Sequence, residues 1–288
     1  MIPKIQYIRP KDLEEAVALL GQHKQNVAVI AGGTDVVPAY QIDSVRYKDI
    51  KVLVDIRRLE PLNIIKKEDD GLLIGAASTF TQLNTDPLIK RHIPVLANAA
   101  LCVGSHQIRN MATVGGNIVN NAPCADSVPS LLVYDAVLHI QSQWGKRKIP
   151  LADFLVKAYT TQLEPGELIT GIKVPIPGDS YKGDFYKLGR RRGAAISRIS
   201  LALLTNIEDG IIRDFRVASG AVTPIGKRFP EIEEAAQGKK ADQELFKSLA
   251  KRMGREIMEI TGLRWSSPYK LPVVQQAFYQ LLERVCGE

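Results

Sequence analysis

Two Gly-Gly pairs constrain this chain more than any other feature of its sequence. The first lies in the segment 31–35, Ala-Gly-Gly-Thr-Asp, directly after the apolar run 27–30. The second lies in the segment 113–117, Thr-Val-Gly-Gly-Asn, and Asp126 follows it. Paired glycines permit positive φ and carry no Cβ, so a ligand can approach the main chain closely. Successive amides in such turns bind anions, and threonine hydroxyls add donors. Together the two turns predict the two halves of one site for a pyrophosphate-bearing cofactor.

The composition is that of an ordinary globular protein. Of the 288 residues, 45% are hydrophobic and 24% are charged, which favours two domains that each bury a core. The net charge of +7 is spread over clusters such as 146–148 and 190–192. Aromatic residues do not interleave with these clusters, which argues against a nucleic-acid partner. A solvated face, a contact with anionic phosphates and an acidic protein partner all remain open.

The sequence predicts a cytoplasmic protein with no membrane partner. It contains no run of about eighteen apolar residues and no signal-peptide pattern at its start. The residues Cys102, Cys124 and Cys286 are widely spaced, and the four histidines lack metal-ligand spacing. We therefore expect no disulfide framework and no zinc or iron–sulfur site held by this chain alone.

The common nucleotide and catalytic fingerprints are absent. There is no G-x-G-x-x-G for a Rossmann site. The segment 220–228 contains a proline, and Arg228 stands where a phosphate loop needs Ser or Thr. No nucleophile, acid and base can be placed together, so no catalytic residue is predicted.

Hydrophobic periodicity and turn residues predict an α+β chain in two parts. The segment 175–179, with two prolines and a glycine, is the best linker candidate. Beyond the linker the pattern predicts a small sheet with helices on one face. The predicted strands are 27–30, 52–56, 63–66, 72–76, 137–140, 167–174, 185–188, 199–207 and 211–217. The predicted helices are 11–20, 93–103 (ended by Gly104), 128–134, 241–262 and 270–286, with a further helix start at 79–83.

The glycine turns and several later segments resemble a known flavoprotein family. The segment 29–35 resembles the first FAD motif of the flavoprotein subunit of molybdenum hydroxylases, and the segments 104–110 and 113–117 resemble the second. Examples are the FAD subunits of bacterial xanthine dehydrogenase, nicotinate dehydrogenase and aerobic carbon monoxide dehydrogenase. The resemblance extends from Tyr7 to the end of the chain. Its further matches are Asp126, Leu168-Ile169, the strand 185–190 and the turn 220–224.

The resemblance implies a fold and a division into domains. An FAD-binding domain of the vanillyl-alcohol-oxidase (PCMH) type would occupy residues 1–177, in two subdomains of about 1–56 and 57–177. An α+β C-terminal domain like that of the carbon monoxide dehydrogenase flavoprotein would occupy residues 178–288. In such subunits FAD is bound without a covalent link.

The resemblance also assigns roles to residues of the cofactor site. Backbone N–H groups of 29–36 and 113–117 would hold the pyrophosphate, and Gly104 and Ile169 would line the adenine and ribose region. The expected cofactor-binding residues are Val29, Ile30, Ala31, Gly32, Gly33, Thr34, Asp35, Val36, Gly104, Ile108, Thr113, Gly115, Gly116, Asn117, Asp126, Ile169 and Lys187.

Four residues would surround the flavin part of the cofactor, and each has a plain structural alternative. Lys187 would approach the isoalloxazine ring near O2 and N1, where a cation stabilises the charge of the reduced ring. Asp126 would bond the ribityl chain or adjacent polar atoms. Ile108 and Ala112 would pack beside the ring. The alternatives are an exposed strand lysine at 187, a helix N-cap at 126, and ordinary core residues at 108 and 112.

The implied function is that of the medium, FAD-binding subunit of a heteromeric molybdenum hydroxylase. A large subunit would bind the molybdenum cofactor and hydroxylate the substrate, and a small subunit would carry two [2Fe-2S] clusters. Electrons would pass through FAD to NAD⁺ or another acceptor. The nearest subgroup is the bacterial xanthine dehydrogenase type, which implies purine oxidation. The cysteine-rich insertion of relatives that reduce 4-hydroxybenzoyl-CoA is missing here. A stand-alone flavin oxidase or reductase and a non-catalytic assembly subunit remain as alternatives.

Overall fold

Three β-sheets, each covered by helices, organise the part of the chain that the computed structural model describes, residues 5–191 and 193–287. The first sheet has three parallel strands in the order β1-β3-β2. Its helix α1 begins at an aspartate cap, because the Asp12 side chain accepts a hydrogen bond from the Glu15 amide. The elements of this part are β1 (Gln6–Ile8), α1 (Leu13–His23), β2 (Val27–Ile30), α2 (Val36–Gln41) and β3 (Val52–Asp55).

The second sheet has five antiparallel strands in the order β4-β5-β10-β6-β7. Short helices join β5 to β6 and pack on the sheet, and a two-stranded ribbon β8-β9 lies at its side. Its strands are β4 (Ile65–Glu68), β5 (Gly71–Gly75), β6 (Val137–Ser142), β7 (Gly145–Pro150), β8 (Leu155–Lys157), β9 (Thr160–Thr161) and β10 (Leu168–Val174). Its helices are α3 (Phe80–Thr85), α4 (Pro87–His92), α5 (Pro94–Leu101), α6 (His106–Arg109), α7 (Val114–Asn120), α8 (Ser127–Leu132) and α9 (Leu151–Phe154).

The third sheet has four antiparallel strands in the order β11-β12-β13-β14. Three helices follow it and cover one face, as the sequence predicts. The other face packs on α5 and α8 of the preceding part. The elements are β11 (Tyr181–Gly189), β12 (Ser197–Glu208), β13 (Ile211–Gly220), β14 (Lys227–Arg228), α10 (Pro230–Ala236), α11 (Gln243–Thr261) and α12 (Ser267–Cys286).

Strand β12 joins two hydrophobic cores because both of its faces are buried. Ile199, Leu201 and Leu203 pack against α10, α11 and α12, whereas Ala202 and Leu204 face the core of the second sheet. Side chains alternate between the faces of a strand, so a continuous apolar run is expected where both faces are covered. The predicted α+β class is confirmed.

Two details differ from the sequence prediction. The helix expected over 93–103 is the shorter α5, because Cys102 forms its C-cap and Gly104 lies in the following turn with φ of +47°. The second Gly-Gly pair is helical: Thr113 is the N-cap of α7, and both glycines fall in its first turn. In the described residues, none of the helices has the length and apolar character needed to cross a membrane.

Candidate cofactor-binding cleft

A cleft of about 580 Å³ opens between the first and second sheets. Both glycine turns line it, so two segments far apart in sequence meet in one place. Phe80, Val103 and Ala112 form an apolar part of its wall. Leu20, Lys24 and the segment 163–169 also line it. The predicted residues that line the cleft are Val29, Ala31, Gly32, Gly33, Thr34, Asp35, Val36, Ile108, Thr113, Gly115, Gly116, Asn117 and Ile169.

The first glycine turn presents a run of amides with no acceptor in the described protein. Gly33 has φ of +70°, which places it in the left-handed region that glycine tolerates best. Within residues 5–191 and 193–287, the N–H groups of 32–36 donate to no backbone or side-chain oxygen. The first donor after the turn is Val37, whose amide bonds to the Gly33 carbonyl. Such a row of oriented amides forms an anion-binding concavity.

Gly32 allows the two turns to touch. A Cβ at Gly32 would lie 1.9 Å from the carbonyl oxygen of Met111 and 2.9 Å from Cα of Ala112. The backbone that leads into the second turn therefore occupies the space of this missing side chain. The close packing fixes the first turn against the second sheet and sets the width of the cleft.

The second glycine turn uses its amides inside the protein. The Val114 and Gly115 amides donate to the carbonyls of Ser78 and Ala76, at 3.0 and 2.9 Å. The Gly116 amide donates to the Thr113 hydroxyl at 3.2 Å, and the Asn117 amide donates to the Thr113 carbonyl. These amides already have acceptors within the described residues, and their contact with a pyrophosphate stays a prediction. This turn lines the cleft with its side chains and with the Cα atoms of its glycines.

Gly115 and Gly116 serve different purposes in α7. A Cβ at Gly115 would lie 2.7 Å from the Ala76 carbonyl oxygen, so this glycine permits the helix to pack on β5. A Cβ at Gly116 would meet only the Thr113 hydroxyl, at 3.0 Å, and would otherwise point into open space. The missing side chain of Gly116 thus leaves space in the cleft, whereas the missing side chain of Gly115 permits close packing inside the protein.

Charged side chains in the cleft are few. The Asn120 side-chain amide donates to Asp35 at 3.1 Å. Burial in the cleft raises the pKa of the Asp35 carboxyl, and the nearby Arg46 partly offsets this. Glu167 is neutralised, because Arg147 donates two hydrogen bonds to its carboxylate at 2.6 and 2.7 Å.

Lys187 and Asp126 form a buried ion pair outside the cleft. The Lys187 ammonium lies 2.6 Å from the Asp126 carboxylate and donates to the Cys102 carbonyl at 2.8 Å. The Ser197 hydroxyl donates to the other carboxylate oxygen at 2.5 Å. Burial raises the pKa of Asp126, against the opposing effects of the lysine and the serine. This pair joins β11 to the loop before α8, so it links the third sheet to the second.

The ion pair excludes two of the structural alternatives, the helix N-cap at Asp126 and the exposed strand lysine at Lys187. The Asp126 side chain makes no N-cap hydrogen bond to α8, although the residue occupies the cap position. Only 11% of the Lys187 side chain is exposed, so it is not an ordinary surface lysine. Both residues lie beside the cleft rather than in its wall, as do Ile30 and Gly104.

Several cleft residues escaped the sequence analysis. The segment 163–167, Arg46, Tyr47 and Asn120 all line the cleft. The segment 163–167, Arg46 and Tyr47 have no Gly-Gly pair beside them, and Asn120 ends α7 beyond its glycine pair, so no local pattern marked them. In the described residues, no group of His, Cys, Asp and Glu is arranged to hold a metal ion.

Comparison with known proteins agrees with this architecture. Residues 3–177 match the family described as the FAD binding domain in molybdopterin dehydrogenase, and residues 184–285 match the CO dehydrogenase flavoprotein C-terminal domain. The glyceraldehyde dehydrogenase medium chain of Sulfolobus acidocaldarius is 32% identical over 95% of both chains. The xanthine dehydrogenase FAD-binding subunit of Escherichia coli O157:H7 is 33% identical over 93% of this chain and 91% of that one.

A solved structure extends the similarity to the whole fold. The carbon monoxide dehydrogenase of Hydrogenophaga pseudoflava contains a chain that superposes with a TM-score of 0.91 at 26% identity. The superposition covers 99% of this chain and 98% of that one. This chain therefore belongs to the family of FAD-binding medium subunits of molybdenum hydroxylases, and it is an oxidoreductase subunit.

Proposed function

We propose that the cleft binds FAD non-covalently, with the pyrophosphate against the amides of 32–36. The observation that carries this proposal is that run of amides, which face the cleft and lack an acceptor within the described residues. Neighbouring amides without a protein acceptor form an anion-binding concavity, and phosphate oxygens accept from several of them at once. The missing side chain at Gly116 leaves room for the ligand. The residues present thus fit the cofactor.

The second turn would contribute side chains rather than amides. The Thr113 hydroxyl accepts from Gly116 and still has its own proton to donate. The Asn117 side-chain oxygen accepts from Ser127 at 2.7 Å, which fixes the amide plane and leaves its NH₂ group for a ligand. We therefore assign Thr113 and Asn117 as polar contacts of the cofactor.

The apolar part of the cleft wall would hold the isoalloxazine ring. Ile108 and Ala112 line the cleft and would pack beside the ring, and the lining residue Ile169 would contact adenine and ribose. Lys187 stands next to the apolar wall, because its ammonium is bonded to Cys102, the neighbour of the lining residue Val103. From there its positive charge would stabilise the negative charge of the reduced ring. The neighbouring Asp126 carboxylate would weaken this electrostatic stabilisation.

The first experiment measures the stoichiometry and linkage of the flavin. The purified chain, reconstituted with FAD and desalted, is expected to hold one equivalent. Acid precipitation should release the flavin into the supernatant, since no covalent bond holds it. Flavin retained in the pellet, or no flavin bound after reconstitution, would contradict the proposal.

A matched pair of variants locates the cofactor. Gly116→Val fills the cleft beside the second turn and should abolish FAD binding. Gly193→Val makes the same change where a Cβ meets nothing within 4 Å, and it should bind FAD normally. Equal FAD affinities for the two variants, measured by flavin fluorescence, would remove the second turn from the cofactor site.

The proposed role is electron transfer within a larger complex. Flavin accepts and donates electrons singly or in pairs, which suits a junction between one-electron clusters and a two-electron acceptor. A small subunit would supply the [2Fe-2S] clusters, and a large subunit would hold the molybdenum cofactor and the substrate. NAD⁺ is the proposed acceptor.

The substrate is proposed to be set by the large subunit. The relatives above carry names that specify glyceraldehyde, xanthine and carbon monoxide, although their medium chains align with this one over nearly their whole length. Purine oxidation is our specific proposal. The flavin-loaded chain alone is expected to reduce an artificial dye with NADH and to leave purines unoxidised. Purine oxidation by the isolated chain would overturn the multi-subunit proposal, and a lack of NADH activity would exclude NAD⁺ as the acceptor.

A further inference from the structure

The cleft contains positively charged side chains that do not all have a carboxylate partner. Among the described residues that line it, Lys24 and Arg46 carry positive charge. Arg46 lies close enough to Asp35 to lower the pKa of its carboxyl. Within the described part of the chain, no carboxylate oxygen lies within 4 Å of the Arg46 guanidinium. Arg46 is thus a cation beside the first glycine turn without a bonded anion.

Two aromatic rings hold the Arg46 guanidinium in place. It lies 5.2 Å from the centroid of Tyr159 and 5.8 Å from that of Tyr47. A cation over an aromatic face at these distances is attracted by the ring quadrupole. The Tyr159 amide in turn donates to the Asn121 carbonyl at 3.0 Å, which ties this ring to the end of α7. The turn between β8 and β9 therefore contacts a guanidinium from the segment before β3.

We propose that Arg46 neutralises the diphosphate of the bound dinucleotide and makes the cleft select FAD over flavins without phosphate. This rests on the proposed function. The amides of 32–36 supply only partial charges, and the Asp35 carboxylate next to them repels an anion. A guanidinium supplies a full charge and a planar fork of donors that matches phosphate oxygens. Stacking on Tyr159 limits the side-chain freedom that binding would otherwise remove.

The test compares two flavins on the full chain. In Arg46→Met, the Kd for FAD is expected to rise roughly 10- to 100-fold, as for loss of a charged hydrogen bond. The Kd for riboflavin, which has no phosphate, should change less than about threefold on the same scale. Arg58→Met removes an exposed arginine outside the cleft and should change neither value. A uniform loss for both flavins, or no loss for FAD, would overturn the proposal.

Salt dependence gives a second readout that needs only FAD. Between about 0.05 and 0.5 M NaCl, screening should weaken FAD binding to the parent chain. The same salt series should weaken binding to Arg46→Met distinctly less, because one charge pair is gone. Parallel salt series for parent and variant would contradict the role of Arg46.

Substitutions of Tyr159 test whether this ring positions the Arg46 guanidinium. Tyr159→Leu should raise the Kd for FAD about threefold, the loss of one cation–π contact, while Tyr159→Phe keeps the ring and should not. In an Arg46→Met background Tyr159→Leu should have no further effect. Additive effects would mean that Tyr159 acts independently of Arg46. Failure of the parent chain to bind FAD would instead refute the proposed function itself, so the two failures are distinguishable.

Discussion

The two glycine turns are alike in sequence and opposite in use. Each contains a Gly-Gly pair and a threonine, and each is followed by an aspartate. In the first, the amides of 32–36 point to no acceptor among the described residues. In the second, the amides of 114–117 are all bonded within the protein and begin a helix. One turn offers its backbone to a ligand, and the other uses its backbone to hold the cleft together.

The two aspartates differ in the same way. Asp35 contacts an asparagine amide in the cleft wall, whereas Asp126 is buried against Lys187 and Ser197. Burial raises both pKa values, but only Asp126 has a bonded cation. The comparison teaches that a Gly-Gly pair marks a place where the backbone is closely approached by a ligand or by another segment of the chain. Residues distant in sequence decide which of the two it is.

The largest expected effect follows from breaking the buried pair. Lys187→Met leaves the Asp126 carboxylate without its cation and should lower the free energy of unfolding by about 3–5 kcal/mol at neutral pH. Part of the loss should return as the pH falls, because protonation removes the unpaired charge. Urea unfolding of the apo chain measures this. Lys182→Met, at an exposed residue of the same strand, should change little. Equal stabilities would show that the pair contributes nothing to the joint between the sheets.

A smaller effect is expected where the two turns touch. Gly32→Ala places a methyl group 1.9 Å from the Met111 carbonyl and should cost about 1–3 kcal/mol, because backbone must move. Gly116→Ala meets only the Thr113 hydroxyl and should change stability by less than about 1 kcal/mol. Chemical denaturation of both variants without flavin is the measurement. A greater loss at Gly116 would reverse the assignment of fold and cleft roles to these glycines.

Alanine substitutions of Thr34 and Thr113 should differ by a small amount in the free energy of unfolding. Thr113→Ala removes the N-cap of α7 and should lower the free energy of unfolding by about 1 kcal/mol. Thr34→Ala removes a hydroxyl that makes no hydrogen bond in the described residues and should leave the apo stability unchanged. Thermal unfolding of the apo proteins is sufficient. Thr113→Ser keeps the cap and should behave as the parent; a loss there as large as in Thr113→Ala would point to packing instead of capping.

Local sequence patterns predicted most of the elements of the fold. Helix α1, the strand that leads into the first glycine turn, the strand pairs of the third sheet and the two closing helices follow from hydrophobic spacing and turn residues. The first turn was identifiable because a buried strand leads directly into a glycine pair. The short helices α3 to α6 were only partly predicted, since they have too few turns to show a period.

Contacts between distant segments could not be predicted in this way. The acceptors for the second turn are Ser78 and Ala76, which lie on another element. Lys187 and Asp126 are separated by 61 positions, so no spacing in the sequence connects them. The resemblance to flavoproteins suggested both residues as cofactor contacts, but it could not show that they contact each other. Arg46 was missed because its position depends on Tyr159, a residue in the turn between β8 and β9 that is distant in sequence.

The smallest expected effect concerns the carboxylate that follows the first turn. The pKa of Asp35 is raised by burial in the cleft, so its ionised form is disfavoured in the folded state. Stability should therefore fall as the pH rises from the ordinary aspartate pKa through the raised one, and level off above it. Asp35→Asn has no such titration and keeps an oxygen for Asn120. Melting temperatures of apo parent and variant should agree at acidic pH and separate towards neutral pH, with the variant higher. FAD should also bind the variant more tightly, because a negative charge beside the phosphates is gone. A variant that is less stable at neutral pH would show that the Asp35 carboxylate is held by attractive contacts, as Asp126 is, and would remove this difference between the turns.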